Sequence, residues 1–217
     1  MIRLRTVQRL GALALGAAAA GAVMTACTPL VVGGAATTAA LVATDRRTSG
    51  AQLDDQGIEL RAGNAIRDEV GTRARVDVVS YNRHVLLVGE VASQRDKEKV
   101  EAVVAGVPNV RRIFNELAVM STPAFKERAN DALLTGKVKA AIVDARDINA
   151  AAFKVVTERS TVYLMGLVTN AEAERATEVT RNVQGVQRVV RLFEIVNNET
   201  ALKLQAKEPP EPPSHAR

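Results

Sequence analysis

Few side chains in this sequence have the type and spacing that chemistry requires. The chain contains one cysteine, Cys27, and two histidines, His84 and His215. Neither histidine stands at a spacing that suggests a metal site or a nucleophilic triad. The pair Gly33-Gly34 does not form a phosphate-binding loop. We therefore predict that the protein is not an enzyme and has no catalytic residues, no cofactor and no metal site; a hydrolase would need a constellation that is not evident.

The cysteine closes an apolar segment near the start of the chain. Residues 10–23 are Ala, Leu, Gly and Val, and three arginines precede them. A basic start, a short apolar stretch and small residues at its end are typical of a secretory signal peptide. The stretch is too short and too rich in Ala and Gly to indicate a membrane span. We predict that residues 1–26 are a signal peptide.

The end of this segment, Met24-Thr25-Ala26-Cys27, resembles the lipobox of bacterial lipoproteins, although the lipobox prefers leucine where this chain has Met24. The resemblance implies that Cys27 becomes the N-terminal residue and the lipid-attachment site, carrying acyl chains such as palmitate. Thr28 stands where an aspartate would retain the protein at the inner membrane. The resemblance therefore implies an outer-membrane protein that faces the periplasm. The alternative is a cysteine that ends an apolar run by chance.

The charge balance argues against a nucleic-acid partner. The formal charge of the whole chain is +5, and removal of the three arginines of residues 1–26 lowers it to +2. Aromatic residues make up 3% of the chain and tryptophan is absent, so platforms for stacking bases are not evident. We predict no nucleic-acid partner.

From residue 56 onward the chain repeats itself, which indicates two copies of one fold. The segment Val85–Gly89 returns as Val162–Gly166 at an offset of 77 residues. The segment Val107–Ile113 returns as Val183–Val189 at an offset of 76. We therefore expect two small domains of the same architecture.

The repeat divides the mature chain into segments. We predict a first domain at residues 51–121 and a second at residues 122–197. Residues 27–50, rich in Ala, Gly, Thr and Val, are predicted to be the lipidated cysteine and a flexible tether. The alternative is that Leu30–Val32 and Leu41-Val42 dip into the bilayer beside the anchor. Residues 198–217, which contain Pro-Pro-Glu-Pro-Pro, are predicted to be a disordered tail.

Both copies predict the order α-β-β-α-β. Apolar residues of the first copy recur at helical spacing, and β-branched runs flank a turn-prone stretch, which indicates a hairpin. We predict an α+β fold in which the helices cover one face of a small sheet. The elements predicted for the second copy are a helix over Asp131–Asp144, strands over Ala152–Thr157 and Thr161–Val168, a helix over Ala171–Asn182 capped by Thr169, and a strand over Val186–Val196.

Three features of each copy resemble the BON domain. They are the order of the elements, a glycine after the second strand (Gly89 and Gly166), and the turn Val107–Val110, which returns as Val183–Val186. Two such domains behind a lipobox resemble the dual BON-domain outer-membrane lipoproteins, a group associated with division and outer-membrane stress. The resemblance covers nearly all of residues 45–197. It implies phospholipid binding and a role in envelope integrity.

Comparison of the two copies predicts a lipid contact on the first helix of the second domain. Leu133 corresponds to Gly57, so the fold does not need an apolar residue at this position. Lys137 and Lys139 lie nearby, and a leucine beside lysines suits partial insertion into an anionic bilayer. The predicted phospholipid-binding residues are Leu133, Leu134, Lys137, Val138 and Lys139.

Two other interpretations remain open for these residues. Leu133 could pack between the two domains, and Tyr163 and Met165 could join either surface or the core. The protein could also be an adaptor that docks envelope or division proteins without specific lipid contact. An exposed Leu133 favours the lipid, whereas a buried Leu133 favours the adaptor. The residues that would serve such docking are Arg111, Arg112, Arg181, Arg188 and Arg191.

Overall fold

The computed structural model of the chain describes residues 45–71, 74–120 and 125–205. These residues belong to one compact unit that begins at Asp45. The predicted signal peptide, Cys27, the tether up to residue 44 and the proline-rich part of the tail lie outside the described residues.

The first domain has the predicted order of elements. Its elements are α1 (Ser49–Val70), β1 (Ala74–Tyr81), β2 (His84–Val91), α2 (Gln94–Ala105), β3 (Arg112–Asn115) and β4 (Ala118–Val119). The hairpin strands β1 and β2 are antiparallel, and the short strands β3 and β4 both pair with β2 in parallel.

The second domain repeats this order with one uninterrupted last strand. The elements of this domain are α3 (Phe125–Asp144), β5 (Phe153–Glu158), β6 (Thr161–Val168), α4 (Asn170–Arg181) and β7 (Arg188–Ile195). The sheet has the order β5-β6-β7, with β5 antiparallel and β7 parallel to β6. The α-β-β-α-β order and the α+β class are therefore confirmed in both copies.

Local hydrogen bonds explain where the second helix of each domain begins. The backbone N–H of Asp96 donates to the hydroxyl of Ser93, the N-cap of α2, at 3.1 Å. In the second domain Thr169 and Glu172 form a capping box, in which each side chain accepts from the other residue's backbone N–H. These caps satisfy N–H groups that have no partner within the helix.

Each domain buries its helices against one face of its own sheet. In the first domain Ile58 and Val100 of the helices pack with Val85 and Leu87 of β2. In the second, Val138 of α3 packs with Leu164 of β6. This arrangement confirms the prediction that the helices cover one sheet face.

The opposite faces of the two sheets pack against each other. Leu86 and Val88 alternate along β2 with the residues that face the helices, and they join a cluster with residues of the second sheet. The described chain is therefore a sandwich of four layers, ordered helices, sheet, sheet, helices. The buried members of this interface cluster are Tyr81, Leu86, Val88, Tyr163, Met165, Leu167 and Leu192.

The last strand of the first domain differs from the prediction, because it is split into β3 and β4. The amide of the Asn115 side chain donates to Glu101 and to the carbonyl of Lys97 on α2. Leu117, which is 3% exposed, turns into the core between the two short strands.

Gly89 and Gly166 lie within the second strands rather than after them. Gly89 has φ of +120°, and a Cβ there would lie 2.1 Å from the carbonyl oxygen of Arg75. A Cβ at Gly166 would lie 2.5 Å from the carbonyl oxygen of Ala152. Both positions need glycine because neighbouring backbone approaches too closely for a side chain.

Both ends of the folded unit extend further than predicted. Residues 198–205 form a helix, α5 (Asn198–Gln205), so the prediction of disorder from residue 198 was wrong for this part. Ala201 on this helix is buried, so the helix packs against the folded unit. The composition of the segment did not indicate this contact. The predicted flexible tether also includes folded residues, because Arg46 is 2% exposed and α1 begins at Ser49.

Candidate functional site

Helix α3 exposes an apolar face next to lysines. Leu133 is 67% exposed and Val143, ten residues further along the helix, is 64% exposed. Lys137 and Lys139 are also exposed. At 100° per residue, Lys137 and Lys139 lie on the two sides of this surface. We call the surface formed by Leu133, Gly136, Ala140 and Val143 the α3 face.

Two of the predicted phospholipid-binding residues do not lie on this surface. Leu134 is 6% exposed and Val138 is fully buried, and both pack in the core of the second domain with Ile142. A side chain in the core cannot contact a bilayer while the domain is folded. The prediction was therefore wrong for Leu134 and Val138, and Leu133, Lys137 and Lys139 stay a prediction.

Sequence reasoning missed Val143 and the two small residues of the α3 face. The signal was present, because these positions follow Leu133 at the helical spacings i+3, i+7 and i+10. These residues form a second apolar stripe, on the side of the helix opposite the core residues Leu134, Val138 and Ile142.

Asp131 fixes the start of the exposed part of α3 relative to the sheet. Its carboxylate accepts hydrogen bonds from the backbone N–H groups of Arg159 and Ser160, at 2.8 and 2.9 Å. Both residues have positive φ in the turn between β5 and β6. One turn further along α3, the hydroxyl of Thr135 is hydrogen-bonded to the hydroxyl of Thr157, with 2.8 Å between the two oxygens. The helix is thus attached to the hairpin on which it packs.

The same carboxylate occurs in the first domain, 76 residues earlier. Asp55 accepts from the backbone N–H groups of Asn82 and Arg83, at 2.8 and 2.7 Å, and these residues also have positive φ. Ser80 adds a hydrogen bond from its hydroxyl. The repeat offset could have identified this pair of structural aspartates from the sequence.

The first helix of the first domain exposes apolar residues at other positions. Leu53 and Leu60 of α1 are 69% and 66% exposed. The corresponding residues of α3 are Ala129 and Gly136. The guanidinium of Arg61 lies over Gly57, within 2.8 Å of where a Cβ would stand. The two helices therefore present different surfaces on the same scaffold.

Four charged side chains meet at the edge of the domain interface. Arg75 binds Glu90 of its own sheet at 2.8 Å and Glu158 of the second domain at 2.5 Å. Arg159 binds Glu90 from the other side at 2.8 Å. The side chains of Glu90 and Glu158 are 1% and 7% exposed.

The pKa values of these two buried glutamates shift in opposite directions. Loss of hydration, with the neighbouring Glu90 carboxylate, raises the pKa of Glu158 to about 7. Hydrogen bonds and charge from Arg75 outweigh burial at Glu90 and hold the pKa of Glu90 below its ordinary value. The interface therefore contains one carboxyl group that titrates near neutral pH.

The remaining residues of interest have structural surroundings. Tyr163 and Met165 are 1% exposed in the interface cluster, so they are core residues. His84 is half-buried beside Phe114, and burial lowers the pKa of its imidazole. Within residues 45–71, 74–120 and 125–205, no group of three or more potential metal ligands occurs. His215 and Cys27 lie outside the described residues.

The five arginines of the alternative docking surface are exposed. Arg188 approaches Glu116 of the first domain at 3.4 Å, and the guanidinium of Arg112 lies 5.8 Å from the Phe114 ring centre. They do not converge on one bonded cluster in the described structure. In the same part of the chain, no helix is both long and apolar enough to cross a bilayer.

Comparison with known proteins agrees with a repeated domain of this architecture. The chain matches the BON domain at residues 54–121 and again at residues 130–197. The chain therefore belongs to the BON-domain proteins, and to their group of dual BON-domain outer-membrane lipoproteins.

Two similar proteins come from other bacteria. Outer membrane lipoprotein DolP of Haemophilus influenzae is 37% identical over 174 residues, which cover 79% of this chain and 89% of that protein. The 21 kDa hemolysin of Actinobacillus pleuropneumoniae is 33% identical over 154 residues, covering 70% and 79%. Among solved structures, CdsD of the type III secretion system of Chlamydia trachomatis has 12% identity and a TM-score of 0.28, with coverage of 67% and 98%. That last similarity is too low to carry an argument.

Proposed function

We propose that the protein is a lipid-anchored outer-membrane protein whose second domain binds anionic phospholipid through the α3 face. Cys27 is the attachment site for acyl chains, and the folded unit faces the periplasm. The protein acts by binding and not by catalysis, and it supports envelope integrity, including functions at the division site. Its first partner is an anionic membrane. Its role in envelope integrity and at the division site also implies envelope or division proteins as partners.

The observation that carries this proposal is the exposure of Leu133. The fold does not require a leucine here, since Gly57 occupies the corresponding position in the first domain. A leucine that is 67% exposed does not pack between the domains. This exposure favours a lipid contact over the alternative in which Leu133 belongs to an interdomain core.

The chemistry of the α3 face suits an anionic bilayer surface. Transfer of one leucine side chain out of water contributes about 1.5–3 kcal/mol. A lysine close to an anionic surface contributes about 1 kcal/mol, and Lys137 and Lys139 both lie within reach of headgroups. Together these energies give a free protein weak binding, which concentrated vesicles reveal. Anchoring makes the same contact strong, because the contact is then intramolecular and the effective concentration of the bilayer is high.

The sequence and the relatives support the location. The lipobox pattern at Cys27 supports a covalent anchor ahead of the folded unit. The relative from Haemophilus influenzae is named an outer membrane lipoprotein. Phosphatidylglycerol and cardiolipin are the anionic lipids that such a face would contact.

Vesicle flotation tests the proposal. The fragment from Asp45 to Arg217 contains both cores and lacks the predicted anchor, so it measures the α3 face alone. It should float with vesicles that contain phosphatidylglycerol or cardiolipin and remain at the bottom with phosphatidylcholine vesicles. Leu133→Asp should reduce flotation on the anionic vesicles by at least tenfold, because it replaces an inserted leucine by a charge that the bilayer repels.

Leu60→Asp is the matched control, since Leu60 has nearly the same exposure on the corresponding helix of the first domain. This variant should float like the unmodified fragment. Absence of flotation with every lipid would reject the α3 face as a lipid reader. In that case Cys27 would be the membrane contact, and the docking of envelope proteins would be the better account of the function.

A further inference from the structure

Strand β7 leaves one side of its backbone available for pairing. It is the last strand in the order β5-β6-β7, and within the described residues no strand pairs with its outer side. An edge strand presents N–H and C=O groups that can hydrogen-bond to an added strand. β7 runs for eight residues, from Arg188 to Ile195, without a break. The corresponding edge of the first domain is interrupted between β3 and β4, as edges protected against pairing commonly are.

A groove lies beside this edge, between β7 and the start of α4. Its volume is about 280 Å³. Phe193 in its lining is held by an edge-to-face contact with Phe153, with ring centres 5.8 Å apart. Ile195 is 49% exposed at the end of the strand. The lining consists of Arg191, Phe193 and Ile195, which alternate along β7, and of Asn170, Ala173 and Glu174 of α4.

The charge of the strand selects among the chains that could pair with it. Arg191 is exposed and lines the groove, whereas Arg188 approaches Glu116 at 3.4 Å and Glu194 accepts a hydrogen bond from the side chain of Asn82 at 2.8 Å. Parallel pairing of two β7 strands would set arginine opposite arginine, which disfavours that pairing with a second copy of this chain. An extended segment with acidic residues meets the same strand with opposite charge.

We propose that the outer edge of β7 and the adjoining groove receive an extended acidic segment of a partner protein, which adds to the sheet as a fourth strand. The main-chain groups of β7 hold the segment, an acidic side chain meets Arg191, and apolar side chains two and four positions away lie against Phe193 and Ile195. In this mode the backbone supplies affinity and the alternating side chains supply selectivity. This surface is separate from the α3 face and does not depend on lipid binding.

Designed peptides test the proposal on the full chain held in detergent micelles. The probes are the labelled peptides Thr-Glu-Thr-Val-Thr-Val-Thr and its reversed sequence, which fit parallel and antiparallel addition. Lysine replaces the glutamate in the control peptides. We expect at least one acidic peptide to bind at least tenfold more tightly than its lysine counterpart by fluorescence anisotropy. We also expect slower hydrogen exchange of backbone amides within residues 188–195 when it is bound.

Charge reversal identifies the contact. Arg191→Glu should weaken the acidic peptide at least tenfold and strengthen the lysine peptide. Arg181→Glu, which makes the same change at the other end of α4, should leave both affinities unchanged. Equal binding of acidic and basic peptides, no binding of any probe, or unchanged exchange in β7 would each overturn the proposal. A concentration-dependent dimer that protects β7 without peptide would also overturn it, since it would identify a second copy as the occupant.

Discussion

At the scale of single residues, the carboxylates of this protein have distinct structural tasks. Asp55 and Asp131 hold the hairpin turns of the two domains through backbone N–H groups. Buried donors of this kind cost about 1–3 kcal/mol when they lose their acceptor. Glu90 and Glu158 instead share two arginines at the domain interface. The first pair is repeated and local, whereas the second pair exists because two domains meet.

The titration of Glu158 makes stability depend on pH. Its pKa is about 7 in the folded protein, above the ordinary value for glutamate, so the folded state binds the proton more tightly than the unfolded state does. The stability that this proton contributes is complete below about pH 4.5 and is lost as pH rises through 7. Glu90, whose pKa is lowered, stays ionised across this window.

We therefore expect Glu158→Gln to flatten the pH dependence of the free energy of unfolding. Between pH 5 and pH 8 the unmodified protein should lose about 1–3 kcal/mol more stability than the variant, as urea denaturation at several pH values would measure. Asp77→Asn, which changes a largely exposed partner of Arg75, is the control and should retain the pH dependence. Parallel curves for Glu158→Gln and the unmodified protein would contradict the assignment.

At the scale of elements, the two first helices show how one scaffold carries different surfaces. Their buried stripes correspond, with Ile58, Ala62 and Ile66 in one and Leu134, Val138 and Ile142 in the other. Their exposed faces diverge, because solvent-facing positions are free of the packing constraint. Function can therefore change on α3 while the fold stays the same.

Gly136 provides a test in which binding increases. It lies in the α3 face, and no atom stands within 4 Å of a Cβ added there. Gly136→Leu should strengthen binding to anionic vesicles by about tenfold, because one more leucine can enter the bilayer at about 1.5–3 kcal/mol. Quantitative flotation over a series of lipid concentrations measures this change.

Gly136→Gln is the matched control for that gain. Both substitutions remove a glycine from a helix and so stabilise α3 by about 0.5–1 kcal/mol, but only leucine adds an apolar contact. If the two variants gained affinity equally, the effect would come from helix stability and not from the bilayer.

At the scale of the whole molecule, the two domains pack together into one structure. The sheets share an apolar interface cluster, and the segment before α1 reaches the second domain. Arg46 donates to the carbonyl of Leu167 at 2.9 Å and pairs with both carboxylate oxygens of Glu172 at 2.8 and 2.7 Å. Glu172 also caps α4, so one carboxylate joins the N-terminal segment to the second domain.

We expect Arg46→Ala to lower the free energy of unfolding by about 2–4 kcal/mol, because it leaves a partly buried carboxylate without its cation. Urea denaturation should show the loss in circular dichroism and tyrosine fluorescence alike. The chain has two tyrosines, Tyr81 and Tyr163, and both are buried in the interface cluster. Arg146→Ala, at an exposed arginine, should change the stability by less than about 0.5 kcal/mol.

Packing of the two domains also predicts how the two urea-denaturation curves compare. The two probes should give coincident transitions in the unmodified protein, because the tyrosines report the interface and circular dichroism reports all helices and strands. A tyrosine transition that precedes the loss of secondary structure would mean that the domains separate before they unfold, contrary to this expectation.

The sequence by itself determined the repeat, the order of the elements and the helix caps at Ser93 and Thr169. These features depend on residues close together in the chain, through helical periodicity, strand alternation and capping. The tertiary structure alone decided that Leu133 is exposed, that Leu134 and Val138 are buried, and that the sheets pack together. It also decided the burial of Arg46, the pairing of Glu90 with Glu158 through shared arginines, and the folding of residues 198–205. Each of these depends on contacts between residues far apart in the sequence, whose meeting no local pattern specifies.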